Sequence, residues 1–239
     1  MRVSAETTQV RNLIDALHAD LSAQGHRVAG LIERSVEALW ERDAEKARGV
    51  IEEDEAVDRE DVRIEKEAVR LLAHAMQSGA SRGLGEGDVR RVMTLVKVNN
   101  EFERIADMGV AIAEKQEVVA SLDGPPPAKF RMMANSVIGI MQTTSRAFET
   151  NDLASAQVVL ASDAATERFE QAVLREVEEL LASGGMSVDY ALALHTIAGA
   201  IKRMADHCTN VAEQVIYVAS GKIVRHQVDH WTAPQEPDV

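Results

Sequence analysis

The chain has 239 residues, enough for one large domain or for two repeats of roughly 110 residues each. Its 39 acidic and 26 basic side chains give a formal charge of -13, which repels nucleic-acid phosphates and argues against direct DNA or RNA binding. Aromatic residues make up only 3%, and 14 glycines with 5 prolines allow few turns. This composition favours a helical protein over an all-β one.

The cysteine content and the hydrophobic runs bear on where the protein resides. Cys208 is the single cysteine and cannot form an intrachain disulfide, so we expect a reducing compartment and a small buried side chain. The N-terminus shows no apolar core of a signal peptide, and the longest weakly polar stretch, 189–202, is far shorter than the roughly 20 residues that span a bilayer. The sequence predicts a cytoplasmic protein without direct membrane insertion.

Apolar residues recur three, four or seven positions apart in the first half and predict three long helices. The first helix is expected over about 4–42. Asp43 is the predicted N-cap of the second helix, which ends near residue 78, and Asp88 is the predicted N-cap of the third, which runs to about residue 119. The predicted apolar stripe of the first helix contains Val10, Leu13, Leu17, Leu21, Val28, Leu31 and Leu39. Predicted core residues across the three helices include Leu17, Leu31, Ile64 and Val98.

A glycine-rich segment, 79–87, separates the second and third predicted helices. Glycines at alternate positions could indicate a phosphate-cradling loop, but no Lys-Ser/Thr pair follows and a helix, not a strand, precedes it. A flexible turn is the better interpretation.

The second half of the chain repeats the first. Three consecutive prolines, 125–127, interrupt the helical pattern, which then resumes in three further segments, over roughly 128–150, 152–183 and 187–220. In the aligned halves, Asp43 pairs with Asp152, Asp54 with Asp163 and Asp107 with Asp206.

The repeat predicts an all-α fold, a tandem duplication of an antiparallel three-helix bundle with six long helices. The predicted domains are the first repeat over 1–120, a proline-rich linker over 121–127, the second repeat over 128–221 and a C-terminal tail over 222–239.

The second helix carries an acidic row beside its apolar stripe. The row consists of Asp54, Asp58, Asp61 and Glu65. Like charges at this spacing repel unless something neutralises them. The third helix carries Glu103 and Asp107 four residues apart, so two antiparallel neighbours would form an oxygen-rich site suited to Mg, Mn or Fe. A solvated acidic face, partly paired with Arg104 and Lys97, is the alternative interpretation.

Enzyme signatures are missing from the sequence. It contains no Gly-x-Ser-x-Gly elbow, no P-loop Lys-Ser/Thr pair, no His-Glu-x-x-His and no Cys/His cluster. The paired Glu-x-x-His motifs of a di-iron carboxylate enzyme are also missing. We therefore expect a protein that is not an enzyme.

The run NNEFERIADMGVAIAE resembles the N-D-L-E-R-I-G-D-H-A-x-N-I-A-E motif of the PhoU family of phosphate-uptake regulators. The run MADHCTNVAEQVIYVASGKIVRH resembles the second copy of that motif, and VIEEDEAVDREDVRIE is similar to the acidic second helix of the family. The resemblance covers nearly the whole chain, in order and twice.

The resemblance implies a cytoplasmic adaptor that lies at the inner face of the membrane only through its partners. These would be the ATPase subunit of the Pst phosphate transporter and a phosphate-sensing histidine kinase, with negative regulation of the phosphate-starvation response as the outcome. A homodimer is left open. The resemblance also implies metal clusters of Fe, Mn, Mg or Zn held by E(D)xxxD motifs. By position, the implied metal ligands are Asp54, Asp58, Glu101, Glu103 and Asp107 in the first repeat and Asp163, Glu167, Asp206 and Asn210 in the second.

Two departures from the family motif change this expectation. Lys202 stands where the motif has Glu, and its ammonium would compete with a cation for the same carboxylates. Ala111 replaces the motif's Asn in the first repeat. We expect the first repeat to bind metal better than the second, and Lys202 to pair with Asp206 or Asp163. The alternative function is a structural or adaptor bundle for another transporter, with acidic faces that bind no metal.

Overall fold

The computed structural model describes residues 5–121 and 126–224, and in these ranges the chain forms α-helices, one short 3-10 helix and no strand. The α-helices are α1 (Ala5–Glu41), α2 (Ala44–Gln77), α3 (Glu86–Ala113), α4 (Gln116–Ala120), α5 (Ala128–Thr150), α6 (Leu153–Ala161), α7 (Asp163–Ala182) and α8 (Val188–Ser220). The predicted all-α fold is confirmed. Residues 122–125 of the predicted linker and 225–239 of the predicted tail lie outside the described ranges, and the predicted domain boundaries stay predictions.

Two aligned aspartates begin corresponding helices in the two repeats. The side chain of Asp43 accepts hydrogen bonds from the backbone N–H groups of Glu45 and Lys46, both at 2.9 Å. The side chain of Asp152 accepts one from the backbone N–H of Ala154 at 3.0 Å. Such caps satisfy N–H groups that have no partner within the helix. The predicted cap at Asp43 is correct, and its repeat at Asp152 agrees with the duplication.

The prediction that Asp88 is an N-cap is wrong. Helix α3 begins at Glu86 with Gly85 as its cap residue, and Asp88 stands in the first turn. Its carboxylate accepts a hydrogen bond from the backbone N–H of Gly85 at 3.0 Å and a second from Nη2 of Arg11 at 2.9 Å. An acidic residue that reaches back to the helix start supports that start from inside the first turn, which explains why it resembles a cap in the sequence.

Two of the six predicted long helices are broken. The predicted third helix ends as α3 at Ala113 and continues after a two-residue turn as α4. The predicted fifth helix is divided into α6 and α7 at Ser162, whose hydroxyl donates to the carbonyl oxygen of Val159 at 2.6 Å. Serine side chains compete for backbone groups in this way and weaken a helix interior.

The glycine-rich segment contains the 3-10 helix, Ala80–Gly83. The hydroxyl of Thr7 donates to the carbonyl oxygen of Ala80 at 3.3 Å, and Nη2 of Arg11 donates to that of Gly83 at 3.4 Å. The segment is thus a turn, as predicted, but one that is tied to α1 rather than free of it.

The helices of each repeat pack together, and the two repeats meet along α3 with α8 and α1 with α5. The buried residues form one continuous core across both repeats. All four of the predicted core residues are at most 4% exposed, namely Leu17, Leu31, Ile64 and Val98. The prediction for Leu13 is wrong, because its side chain is 42% exposed and lines a groove between α1 and α2.

The junction of α1, α3 and α5 depends on a glycine. A Cβ atom at Gly25 would lie 2.7 Å from Cζ of the buried Phe102 ring. That ring packs edge-on against Phe148, with centroids 5.9 Å apart, and the hydroxyl of Ser145 donates to the carbonyl oxygen of Gly25 at 3.1 Å. Helices α1 and α3 of the first repeat therefore approach each other here more closely than any larger residue would permit, beside their contact with α5.

In the described ranges, no helix has both the length and the apolar character required to cross a membrane.

Candidate functional site: an acidic surface on α2 and α3

Helices α2 and α3 are joined by a polar contact that sets their register. The amide nitrogen of Asn99 on α3 donates to the backbone oxygen of Asp61 on α2 at 2.9 Å and to its Oδ1 at 2.6 Å. The buried faces of the two helices, carried by residues such as Val57 and Phe102, turn toward the core. The acidic side chains beside these faces are thereby brought to one surface.

We call this region the acidic surface. It consists of Asp54, Asp58, Asp61, Glu103 and Asp107. Burial, followed by the charges of Asp58 and Asp107, raises the pKa of Asp54 to about 6. Burial and then the charge of Asp58 raise the pKa of Asp107, although Arg104 opposes the change. Carboxylates on α2 thus act on carboxylates on α3, and the two predicted acidic rows converge.

Glu103 and Asp61, two further members of the acidic surface, respond in the same direction. Burial raises the pKa of Glu103, with further contributions from Asp107, Asp61 and Asp58. Burial raises the pKa of Asp61 as well, followed by the charges of Glu65 and Asp58. Both carboxylates therefore ionise less readily than usual, first because burial disfavours the charged form and second because like charges lie nearby.

The donor chemistry of the acidic surface fits a hard cation. Oδ1 of Asp54 is buried and has no hydrogen-bond partner among the described residues. Carboxylate oxygens are the ligands that Mg and Mn prefer. Such a cation would give Oδ1 of Asp54 a partner and would reduce the repulsion between the carboxylates of the acidic surface. As the side chains stand, no three His, Cys, Asp or Glu residues of the described ranges are grouped closely enough to hold a metal ion. Metal binding stays a prediction for these residues.

Glu101, a predicted metal ligand of the first repeat, lies apart from the acidic surface and faces α8. Its Oε2 accepts hydrogen bonds from Nδ1 of His207 at 2.7 Å and from Nδ2 of Asn210 at 3.0 Å. Burial alone would raise the pKa of Glu101, but these two bonds, together with the charges of His207 and Arg104, lower it. Glu101 and Asn210, predicted for two different metal sites, are thus partners of each other across the junction of the repeats.

His207 was not singled out by the sequence. Its partner, Glu101, is far away along the chain, and neither residue belongs to a spacing pattern that would connect them. Asn99 was missed for the same reason, because its partner Asp61 is on another helix. Only the packing of α3 against α2 and α8 reveals these contacts.

In the equivalent surface of the second repeat, a lysine forms ion pairs with the carboxylates. Nζ of Lys202 donates to Oδ1 of Asp163 at 3.2 Å and also contacts Asp206. Burial opposes the charge of Lys202, but Asp206 and then Asp163 outweigh it and raise the pKa of the ammonium. The predicted ion pair is confirmed with both carboxylates. Glu167, one turn after Asp163 on α7, is exposed.

Comparison with known proteins connects these observations to a family. A family model described as the PhoU domain matches residues 21–116 and, a second time, residues 130–215. A relative from Thermotoga maritima, named "phosphate-specific transport system accessory protein PhoU homolog 1", is 28% identical over 212 residues, which cover 86% of this chain and 87% of the relative.

Two solved structures share the fold. The PhoU crystal structure from Streptococcus pneumoniae, a phosphate transport system regulatory protein, superposes with a TM-score of 0.79 at 21% identity, covering 90% of this chain and 99% of the other. That of PhoU from Pseudomonas aeruginosa gives a TM-score of 0.75 at 24% identity, covering 92% of this chain and 100% of the other.

Proposed function

Because the chain belongs to the PhoU family, we propose that it is an accessory regulator of phosphate uptake that acts by binding other proteins and not by catalysis. The observation that carries this proposal is the family domain, which is found twice and covers most of the chain. The name of the Thermotoga maritima relative, an accessory protein of a phosphate transport system, supports the same role.

In more detail, we propose a cytoplasmic adaptor between the ATPase subunit of the Pst phosphate transporter and a phosphate-sensing histidine kinase. Its effect is to repress the phosphate-starvation response when phosphate is plentiful, and it reaches the inner face of the membrane through these partners. Two repeats with one fold and different surfaces support the adaptor role. The first repeat presents unbalanced carboxylates, whereas the second neutralises its own with Lys202.

We further propose that the acidic surface of the first repeat binds Fe, Mn, Mg or Zn. The unpartnered oxygen of Asp54 and the raised pKa values of Glu103 and Asp107 support this. A bound cation would neutralise the surface and offer a charged contact to a partner. Glu103 and Asp107 on α3, with Asp54 and Asp58 on α2, are the residues that would hold it.

The regulatory role is tested by deleting the gene in its own bacterium and measuring a phosphate-starvation reporter in phosphate-rich medium. Loss of the protein should switch the reporter on, and the parent chain supplied in trans should switch it off again. The double variant Glu103→Gln, Asp107→Asn should repress less than the parent. A control, Glu178→Gln with Glu179→Gln, removes two exposed charges from α7 and should repress fully. A reporter that stays off in the deletion strain would contradict the proposed role.

A further inference from the structure

A polar groove with a volume of about 340 Å³ lies between α2, α3 and α8. It begins at Asp61, the edge of the acidic surface, and extends toward α8. Its walls carry three side-chain amides, of which Asn100 is exposed, whereas Asn99 and Gln214 are only 3% and 5% exposed.

Both buried amides present an oxygen without a partner. Oδ1 of Asn99 and Oε1 of Gln214 are buried and accept no hydrogen bond from the described residues. The orientation of Asn99 is fixed, because its amide nitrogen already donates to the backbone and side chain of Asp61. Buried acceptors left unpaired reduce the stability of a fold. Because both residues line one groove, a ligand bound there that donates hydrogen bonds has the chemistry to relieve this cost.

The charged residues of the groove also favour a ligand that donates hydrogen bonds and carries positive charge. Three carboxylates line it, those of Asp61, Glu65 and Glu101. The one cation among the lining residues of this groove, Lys97, holds its ammonium over the ring of Tyr217, 5.8 Å from the centroid. The groove is therefore rich in acceptors and negative charge, and poor in donors.

The second repeat has no such polar groups at the aligned positions. The positions of α8 that align with Asn99, Asn100 and Glu101 are Ala198, Gly199 and Ala200. The same helix of the same bundle thus packs with small residues there. Hydrogen bonds to Asp61, His207 and Asn210 account for part of the polar set of the first repeat, whereas its unpartnered amide oxygens call for an explanation other than folding.

We infer that this groove binds an arginine side chain of a partner protein. A guanidinium group supplies several N–H donors in one plane together with a positive charge, which matches amide and carboxylate oxygens better than a single-point cation does. Val96 lines the groove and is 37% exposed. This apolar neighbour favours an arginine on a protein segment over a free small molecule. The inference rests on the proposed adaptor role only for the identity of the partner.

The test uses isotope-labelled protein and follows the side-chain amide signals of Asn99 and Gln214 by NMR. The probe is the peptide acetyl-Ala-Val-Arg-Val-Ala-amide, and the matched control replaces its arginine with citrulline, which keeps the shape and removes the charge. The arginine peptide should shift both signals saturably, with a Kd at least about tenfold lower than that of the citrulline peptide. Equal shifts with both peptides, or none, would overturn the inference. So would equally tight binding of free arginine amide, or shifts that only MgCl2 or MnCl2 produces.

A variant separates binding from folding. Gln214→Met keeps the length of the side chain and removes the unpartnered oxygen, so it should weaken the arginine peptide about tenfold while Tm is unchanged or higher. A clear fall in Tm would assign the oxygen a structural role and overturn the inference. Glu65→Gln, on the exposed rim, should also weaken the peptide, whereas Glu178→Gln should not. If the arginine peptide does not bind but the protein still represses the phosphate-starvation reporter, the arginine site is rejected and the proposed regulatory role is unaffected.

Discussion

Nζ of Lys202 lies 3.2 Å from Oδ1 of Asp163 and joins α8 to α7 in the second repeat. In the first repeat the aligned position is Glu103, whose pKa is raised by burial and then by the charges of neighbouring carboxylates. The two repeats thus differ at this one aligned position. In the second repeat Lys202 neutralises the nearby carboxylates, whereas in the first repeat Glu103 adds another negative charge. We attribute the expected difference in metal binding to this exchange.

Replacing Lys202 with glutamate should create a metal site in the second repeat. The change removes the ammonium that holds Asp163 and Asp206 and supplies a third carboxylate, so the variant should bind more Mn per chain than the parent. Titration with Mn followed by calorimetry measures the stoichiometry. The control is Arg203→Glu, which makes the same charge change at an exposed neighbouring position and should add no site. An unchanged stoichiometry in Lys202→Glu would count against this account.

The raised pKa of Asp54 predicts a specific dependence of stability on pH. Its ordinary pKa is 3.8 and that of the folded state is about 6, so the folded chain binds more protons than the unfolded chain between these values. Stability contributed by Asp54 is therefore present at low pH and is lost as pH rises toward 6. Because Asp54 is partly exposed, solvent screening reduces the effect to on the order of 1 kcal/mol.

Urea denaturation of the parent and of Asp54→Asn, in the presence of chelator, measures this effect. From pH 4 to pH 7 the free energy of unfolding of the parent should fall relative to that of the variant. Adding Mn at pH 7 should raise the free energy of unfolding of the parent again, but not that of the variant. A difference that stays constant across this range would show that Asp54 is not perturbed by its neighbours.

The close approach at Gly25 predicts an unfavourable Gly→Ala substitution inside a helix. A methyl group there would meet the ring of Phe102 at 2.7 Å, and this ring is fully buried, so the core around it must shift to make room. Gly25→Ala should cost about 1 to 3 kcal/mol of unfolding free energy. The matched control is Gly49→Ala on α2, where nothing lies within 4 Å of the new Cβ. That control should gain about 0.5 to 1 kcal/mol, because alanine favours helices. Thermal unfolding of both variants measures whether each change in stability is a loss or a gain. A gain in stability for Gly25→Ala would contradict the close packing described around Gly25.

The sequence predicted the features that depend on neighbours along the chain. Helical periodicity placed Ile64 and Val98 in the core, and the cap at Asp43 and its repeat at Asp152 follow from local hydrogen bonding. The pair between Lys202 and Asp206 was also within reach, because the two residues are four positions apart on one helix.

The sequence could not predict contacts that depend on how helices pack. The bond from His207 to Glu101 joins the two repeats, and no spacing rule connects these residues. It also removes Glu101 from the acidic surface to which the family motif had assigned it. The break at Ser162 was missed because one serine rarely ends a helix, and its effect depends on the core against which α6 and α7 pack.

The most direct test of the account is the metal content of the protein purified without chelators, measured by mass spectrometry. The account predicts metal in the parent, its loss in Glu103→Gln, Asp107→Asn, and its retention in the control Glu178→Gln, Glu179→Gln. A parent that remains metal-free after incubation with Fe, Mn and Mg, or a double variant that keeps the full metal content, would contradict the claim that the acidic surface of the first repeat binds metal.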